Sequence, residues 1–157
     1  MGPEEVRFIA DSMLGRLSKW LRIMGFDTYY RSFYRDSTIS DLIKDGYLLL
    51  TRHKSKTIQY PNTLFILSDK VGEQLQEMRK RGYLHRDKSR WFTRCVTCNN
   101  TLREVSLEDA RENIPDYIFY QNIPAVRFCP SCLKYYWPGS HRDRMIIQLE
   151  EWGITGA

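Results

Sequence analysis

Residues 47–55 read Tyr-Leu-Leu-Leu-Thr-Arg-His-Lys-Ser (YLLLTRHKS). The run Tyr47 to Leu50 lacks the alternation of a half-exposed strand, so a strand built from it is buried on both faces, as in the interior of a parallel sheet. Its end delivers Thr51, Arg52, His53 and Lys54 together. In an open α/β sheet the carboxyl ends of the strands are where ligands bind.

Working outward, VRFIAD (6–11) is a second apolar run, and it ends on Asp11. Met13, Leu14, Leu17, Trp20, Leu21 and Met24 then recur at helical spacing, and Gly25 closes the helix. FDTYYR (26–31) predicts another strand, and TISDLIKDG (38–46) a short helix with Ser37, Thr38 or Ser40 as cap and Gly46 as stop. Beyond Pro61, TLFILSD (63–69) repeats the apolar run ending on an acid, Asp69, and VGEQLQEMRKRG (71–82) predicts a helix ending at Gly82. Strands alternating with helices give an α/β domain over residues 1–92, with a mainly parallel sheet flanked by helices.

From Thr93 the character changes. RCVTCNNTLREV (94–105) and RFCPSCLKYYWPGSHRD (127–143) predict two turn-rich hairpins separated by an acidic stretch, and RDRMIIQLEEWG (142–153) predicts a short terminal helix. Cys95 and Cys98, then Cys129 and Cys132, form two C-x2-C knuckles, the pattern of a closed tetrahedral Zn²⁺ site. The same dipeptide spacing also serves thiol redox chemistry, but neither pair opens a helix after a strand. Residues 93–157 are therefore expected to form a small four-cysteine zinc ribbon with a short C-terminal helix, its metal structural.

The 157 residues are 42% hydrophobic, enough for a packed core, and carry 24 Lys and Arg against 19 Asp and Glu. The excess is concentrated: Arg79, Lys80, Arg81, Arg86, Lys88, Arg90 and Arg94 face the single acid Asp87, a field that attracts phosphates or forms a solvated helix end. Neither a secretory leader nor a membrane span is visible, which points to a cytoplasmic protein without a membrane partner.

Asp11, Asp41 and Asp69 fall at or near the same strand-end edge as the Thr51–His53 turn. Grouped carboxylates repel one another and call for a divalent cation, a standard means of activating water for phosphodiester cleavage. Each has a plainer alternative: Asp11 and Asp69 as helix caps, Asp41 as a first-turn acid favoured by the helix dipole.

FIADSMLGRLSKWLRIMGFDTYY (8–30), SDLIKDGYLLLTR (40–52) and CPSCLKYYWPGSH (129–141) together resemble the Mut7-C RNase family, a PIN-like domain with a C-terminal zinc ribbon. The resemblance implies a metal-dependent ribonuclease with Mg²⁺ or Mn²⁺ held by Asp11 and Asp41. The family's third acid follows Thr-Arg, where this chain has His53. That exchange removes a charge and a hard oxygen ligand, leaving Asp69 to supply the oxygen or His53 to transfer protons. Arg16 and Arg52 are candidates to hold substrate phosphate, and Arg79, Lys80, Arg81, Arg86, Lys88 and Arg90 to guide RNA. The rival readings are a catalytically weakened RNA-binding zinc-ribbon protein and a ribbon that docks a protein partner.

Overall fold

The computed structural model describes residues 5–85, 87–122 and 125–154. Four short strands, β1 (Phe8–Ala10), β2 (Thr28–Tyr30), β3 (Leu48–Thr51) and β4 (Thr63–Phe65), form one sheet in the order β2-β1-β3-β4 with every pair parallel. Ile9 pairs with Tyr29 on one side and Leu49 on the other.

The two-residue period of a strand sends successive side chains to opposite faces, and here both faces are covered. Phe8, Ala10, Leu48, Leu50 and Leu64 pack against α1 (Gly15–Ile23) and α4 (Val71–Lys80) through Leu17, Leu21, Leu75 and Met78. Ile9 and Leu49 pack on the other face against Ile39 of α2 (Asp36–Lys44) and Tyr60. All four residues of β3 are buried, which accounts for its unbroken apolar run. Each fully buried Leu contributes roughly 1.5–3 kcal/mol relative to exposure.

Two local expectations are corrected. α2 begins at Asp36 with Arg35 as its N-cap and no side-chain capping bond, so Ser37, Thr38 and Ser40 lie inside the helix. A further helix, α3 (Lys54–Gln59), follows β3 directly; none of its residues is buried, so it has no apolar stripe to announce it.

The second half contains more regular structure than two hairpins. β5 (Arg103–Glu104), β6 (Arg127–Cys129) and β7 (Lys134–Tyr136) form an antiparallel sheet in that order. The acidic stretch folds as α5 (Leu107–Asn113) and α6 (Asp116–Asn122), which enclose a small core of Ala110, Ile114, Ile118, Phe119 and Val126. Ser106 caps α5 by accepting the Asp109 N–H at 3.1 Å.

The main core does not stop at residue 92. The last helix, α7 (Ser140–Glu151), returns to the parallel sheet's helices, and Leu149 and Ile154 are buried with the residues of α1 and α4. Trp152 meets Trp20 edge-on with ring centroids 4.9 Å apart. Its carbonyl accepts Gln76 Nε2 at 2.6 Å, and the Gly153 carbonyl accepts Arg79 Nη1 at 2.6 Å. Gly72 makes this approach possible: a Cβ there would lie 2.5 Å from Trp152 Nε1.

Candidate functional site

β1 ends by handing over Asp11, whose N–H continues the sheet pairing to the Leu50 carbonyl at 3.0 Å. Asp11 is 2% exposed and its carboxylate is fully engaged. Oδ2 accepts the Thr51 hydroxyl at 2.6 Å, while Oδ1 accepts the Ser12 N–H at 2.8 Å and the Lys56 ammonium at 2.8 Å. Burial alone would raise the Asp11 pKa. The bonds from Lys56, Thr51 and Ser12 outweigh it and hold the group below the usual carboxylate range, hence ionised. Its carboxylate is thus not a cap for α1, whose N-cap, Leu14, makes no side-chain bond.

Thr51 is the hinge of this arrangement. Buried at the end of β3, it donates to Asp11 and accepts the His53 N–H at 3.0 Å. His53 itself is exposed at the N-cap of α3, one helical turn before Lys56. Lys56 could be found only once a helix was known to start there.

The second carboxylate drawn to this region is Asp36. α2 runs back from the strand-end edge, so its first residue lies at that edge. Asp36 Oδ1 accepts the hydroxyl of buried Tyr60 at 2.6 Å. Burial, the Asp36 bond and the charges of both Asp36 and Asp11 push the Tyr60 phenol up to about 12, so one side chain senses both acids. Asp41 lies farther along α2, exposed, and Asp69 is exposed just before α4. Among the described residues neither carboxylate forms a hydrogen bond or ion pair.

The predicted phosphate-binding residues divide by what they already hold. Arg52 donates to the Leu67 carbonyl at 3.1 Å, Arg79 to Gly153, and Arg81 to the Phe65 carbonyl at 3.4 Å. Arg90 is paired with Glu5, and Lys88 lies 6.0 Å from the Trp91 ring centroid. Arg16 and Lys80 are exposed; Arg86 lies outside the described residues. The basic stretch is thus largely committed to holding the chain together.

The four cysteines converge. Their sulfurs lie within 4.8 Å of one another, with Cys98 and Cys129 3.4 Å apart and Cys95 and Cys132 3.7 Å apart. Four thiolates at ordinary Zn–S distance stand roughly 3.8 Å apart at the corners of a tetrahedron, so the quartet suits a metal such as zinc. Each knuckle turns through a positive-φ residue, Asn99 at 74° and Leu133 at 57°. Burial would raise the Cys95 thiol, but the Tyr136 hydroxyl, 3.1 Å away, and the N–H groups of Cys98 and Thr97 bring it down to about 6. Among the described residues this quartet is the only group of three or more metal-ligating side chains brought together.

The cluster is fastened to the parallel sheet. Buried Arg22 donates through Nε to the Thr28 carbonyl at 3.0 Å, and through Nη1 to the carbonyls of Val96 at 2.9 Å and Thr97 at 3.2 Å. Asn99 accepts the Thr28 N–H at 3.0 Å and donates to Asp27 at 2.7 Å. A loaded four-thiolate zinc site carries a net −2, which the adjacent Arg22 charge complements.

No helix among the described residues is long and apolar enough to cross a membrane. No curated protein and no solved structure matches the chain. A family model for the Mut7-C RNase domain matches residues 6–149, spanning the parallel sheet, Asp11 and Asp36, both cysteine knuckles and most of α7. The chain belongs to the Mut7-C RNase domain family.

Proposed function

We propose that this chain is a PIN-like, metal-dependent ribonuclease centred on Asp11. The observation that carries the reading is a buried carboxylate, held ionised at the carboxyl edge of a parallel sheet, with Asp36 gathered to the same edge through Tyr60. The two acids offer the hard oxygen donors that Mg²⁺ or Mn²⁺ prefers, and such ions commonly bind through one or two carboxylates with water and phosphate completing the shell. When bound, the ion supplies Lewis-acid activation of the phosphodiester and of the attacking water.

The protein's own groups prepare that chemistry. Thr51 fixes the Asp11 carboxylate, and the His53 N–H fixes Thr51. Lys56 balances the Asp11 charge and would have to yield its place on Oδ1 if a divalent cation were held there. His53, exposed beside this turn, is the proton-transfer candidate. The cysteine quartet, with four protein ligands and no open position, holds zinc for structure alone.

A second reading, RNA binding with little cleavage, draws support from the Lys56 contact on Asp11 and from His53 in the position of an acid. One assay separates the two. Purified protein is incubated with single-stranded and structured RNAs and Mn²⁺ or Mg²⁺, beside Asp11→Asn. Metal-dependent cleavage that Asp11→Asn abolishes supports the nuclease. RNA retained but left intact by the wild type supports the binding protein, and cleavage unchanged in the variant removes Asp11 from the mechanism.

A further inference from the structure

α1, the cysteine-bearing sheet, α6 and the first turn of α7 enclose a cleft of about 1560 Å³. One end lies beside the Asp11 edge: Tyr30 lines the cleft and donates its hydroxyl to the Ser12 carbonyl at 2.8 Å, one residue from Asp11. Among the described residues Asp143 is the only carboxylate in the lining, against five arginines and Lys19.

Two of those arginines converge on one residue. Arg127 Nη1 lies 3.5 Å from the Phe92 carbonyl, and the Arg142 guanidinium sits over the Phe92 ring, 4.6 Å from its centroid. Neither belongs to an ion pair among the described residues. Partial burial and then the Arg127 charge lower the Arg142 pKa, against a smaller opposing effect of Asp143, the cost of holding two like charges close together at a half-buried site. An anion with several oxygens relieves that cost, and guanidinium forks match a phosphate. Arg16 and Lys19 lie exposed along the α1 wall, Tyr117 is 68% exposed on the α6 wall, and the half-buried Trp137 ring, packed on one side against the small core of α5 and α6, also lines the cleft. Cations interleaved with aromatic rings are what a single-stranded nucleic acid requires.

We propose that this cleft is the RNA-binding channel: Arg127 and Arg142 clasp one backbone phosphate, Arg16 and Lys19 carry the strand along α1 toward Asp11, and Tyr117 and Trp137 stack its bases. The assignment of RNA rests on the ribonuclease reading; the channel itself rests on the cleft. It also moves the strand away from Arg79, Lys80, Arg81, Lys88 and Arg90, none of which lines the cleft; of the basic stretch only Arg94 does, among the described residues.

The test uses the full zinc-loaded chain carrying Asp11→Asn, so that bound RNA stays intact, and follows the anisotropy of a fluorescein-labelled 15-nucleotide oligouridine across a salt series. Adding Arg127→Ala and Arg142→Ala is expected to weaken binding about tenfold or more and to reduce the salt slope by roughly 0.7 for the lost phosphate contact. Lys80→Ala with Lys88→Ala is expected to change affinity less than twofold. Unchanged affinity and slope in the cleft variant, with zinc content and melting temperature preserved, overturns the channel. Should that variant fold poorly, Arg16→Ala with Lys19→Ala, both exposed, is read by the same criteria. Wild-type cleavage alongside unaltered cleft-variant binding defeats the channel and leaves the nuclease standing; weakened binding without any wild-type cleavage does the reverse.

Discussion

The ammonium of Lys56 lies 2.8 Å from Oδ1 of Asp11, on the edge where a divalent ion would share that carboxylate. On the proposed mechanism the two cations would compete for one oxygen. Lys56 keeps 26% of its side chain exposed, so the pair is screened and the contact is worth about 1 kcal/mol. Lys56→Ala is therefore expected to lower the Mn²⁺ concentration for half-maximal cleavage about fivefold. A titration of cleavage rate against Mn²⁺ checks this; a rate that collapses at every metal concentration assigns Lys56 to the substrate phosphate instead.

The position of the second acid is open to a direct comparison. Asp36 is tied to Tyr60 at the strand-end edge, whereas Asp41 stands exposed farther along the same helix. Asp36→Asn is expected to slow cleavage at least tenfold and Asp41→Asn less than twofold, measured on one RNA at saturating Mn²⁺. The opposite order would return the role to Asp41.

Metal at the cysteine quartet should support more than its own sheet, because Arg22 and Asn99 connect the first knuckle to β2. Purified protein should contain about one zinc per chain. Removing it is expected to speed hydrogen exchange at the Thr28 amide, whose acceptor is Asn99, and to lower the melting temperature. Thr28 protection that survives zinc removal would show that the knuckle keeps its shape without metal.

Gly72 offers a test of how α7 is seated. Alanine is ordinarily favoured over glycine within a helix by about 1 kcal/mol. Here its methyl would strike Trp152, so Gly72→Ala is expected to destabilise by roughly 1–3 kcal/mol by overpacking. Adding Trp152→Ala should then cost less than it does in the wild type, a coupling that a double-mutant cycle in denaturant measures.

The parts written into the sequence were those governed by one dominant force. The run Leu48–Leu50 announced a doubly covered strand because burial on both faces leaves no room for alternation, and paired cysteines announced a metal cluster because two-residue spacing serves few other ends. Asp11 was legible for the same reason, standing at the end of an apolar run. Lys56 and Asp36 were not, since each depends on where a short helix begins. α3 buries nothing, and α2 starts without a side-chain cap, so neither start left a strong mark. Ser106 and Asp109, three residues apart, do carry a local capping signature for α5 within the acidic stretch. The commitments of Arg79 and Arg90, to Gly153 and Glu5, join residues far apart in the chain, and no local pattern encodes them.

The burial of Leu149 and Ile154 among the side chains of α1 and α4 sets an order on biosynthesis. A ribosome delivers the whole parallel sheet long before it delivers the residues that close its core. Until residue 154 has cleared the exit tunnel, the apolar seam between α1 and α4 stays open to chaperones and to neighbouring chains. A premature stop anywhere before Leu149 would consequently yield an aggregation-prone fragment, not a smaller folded domain.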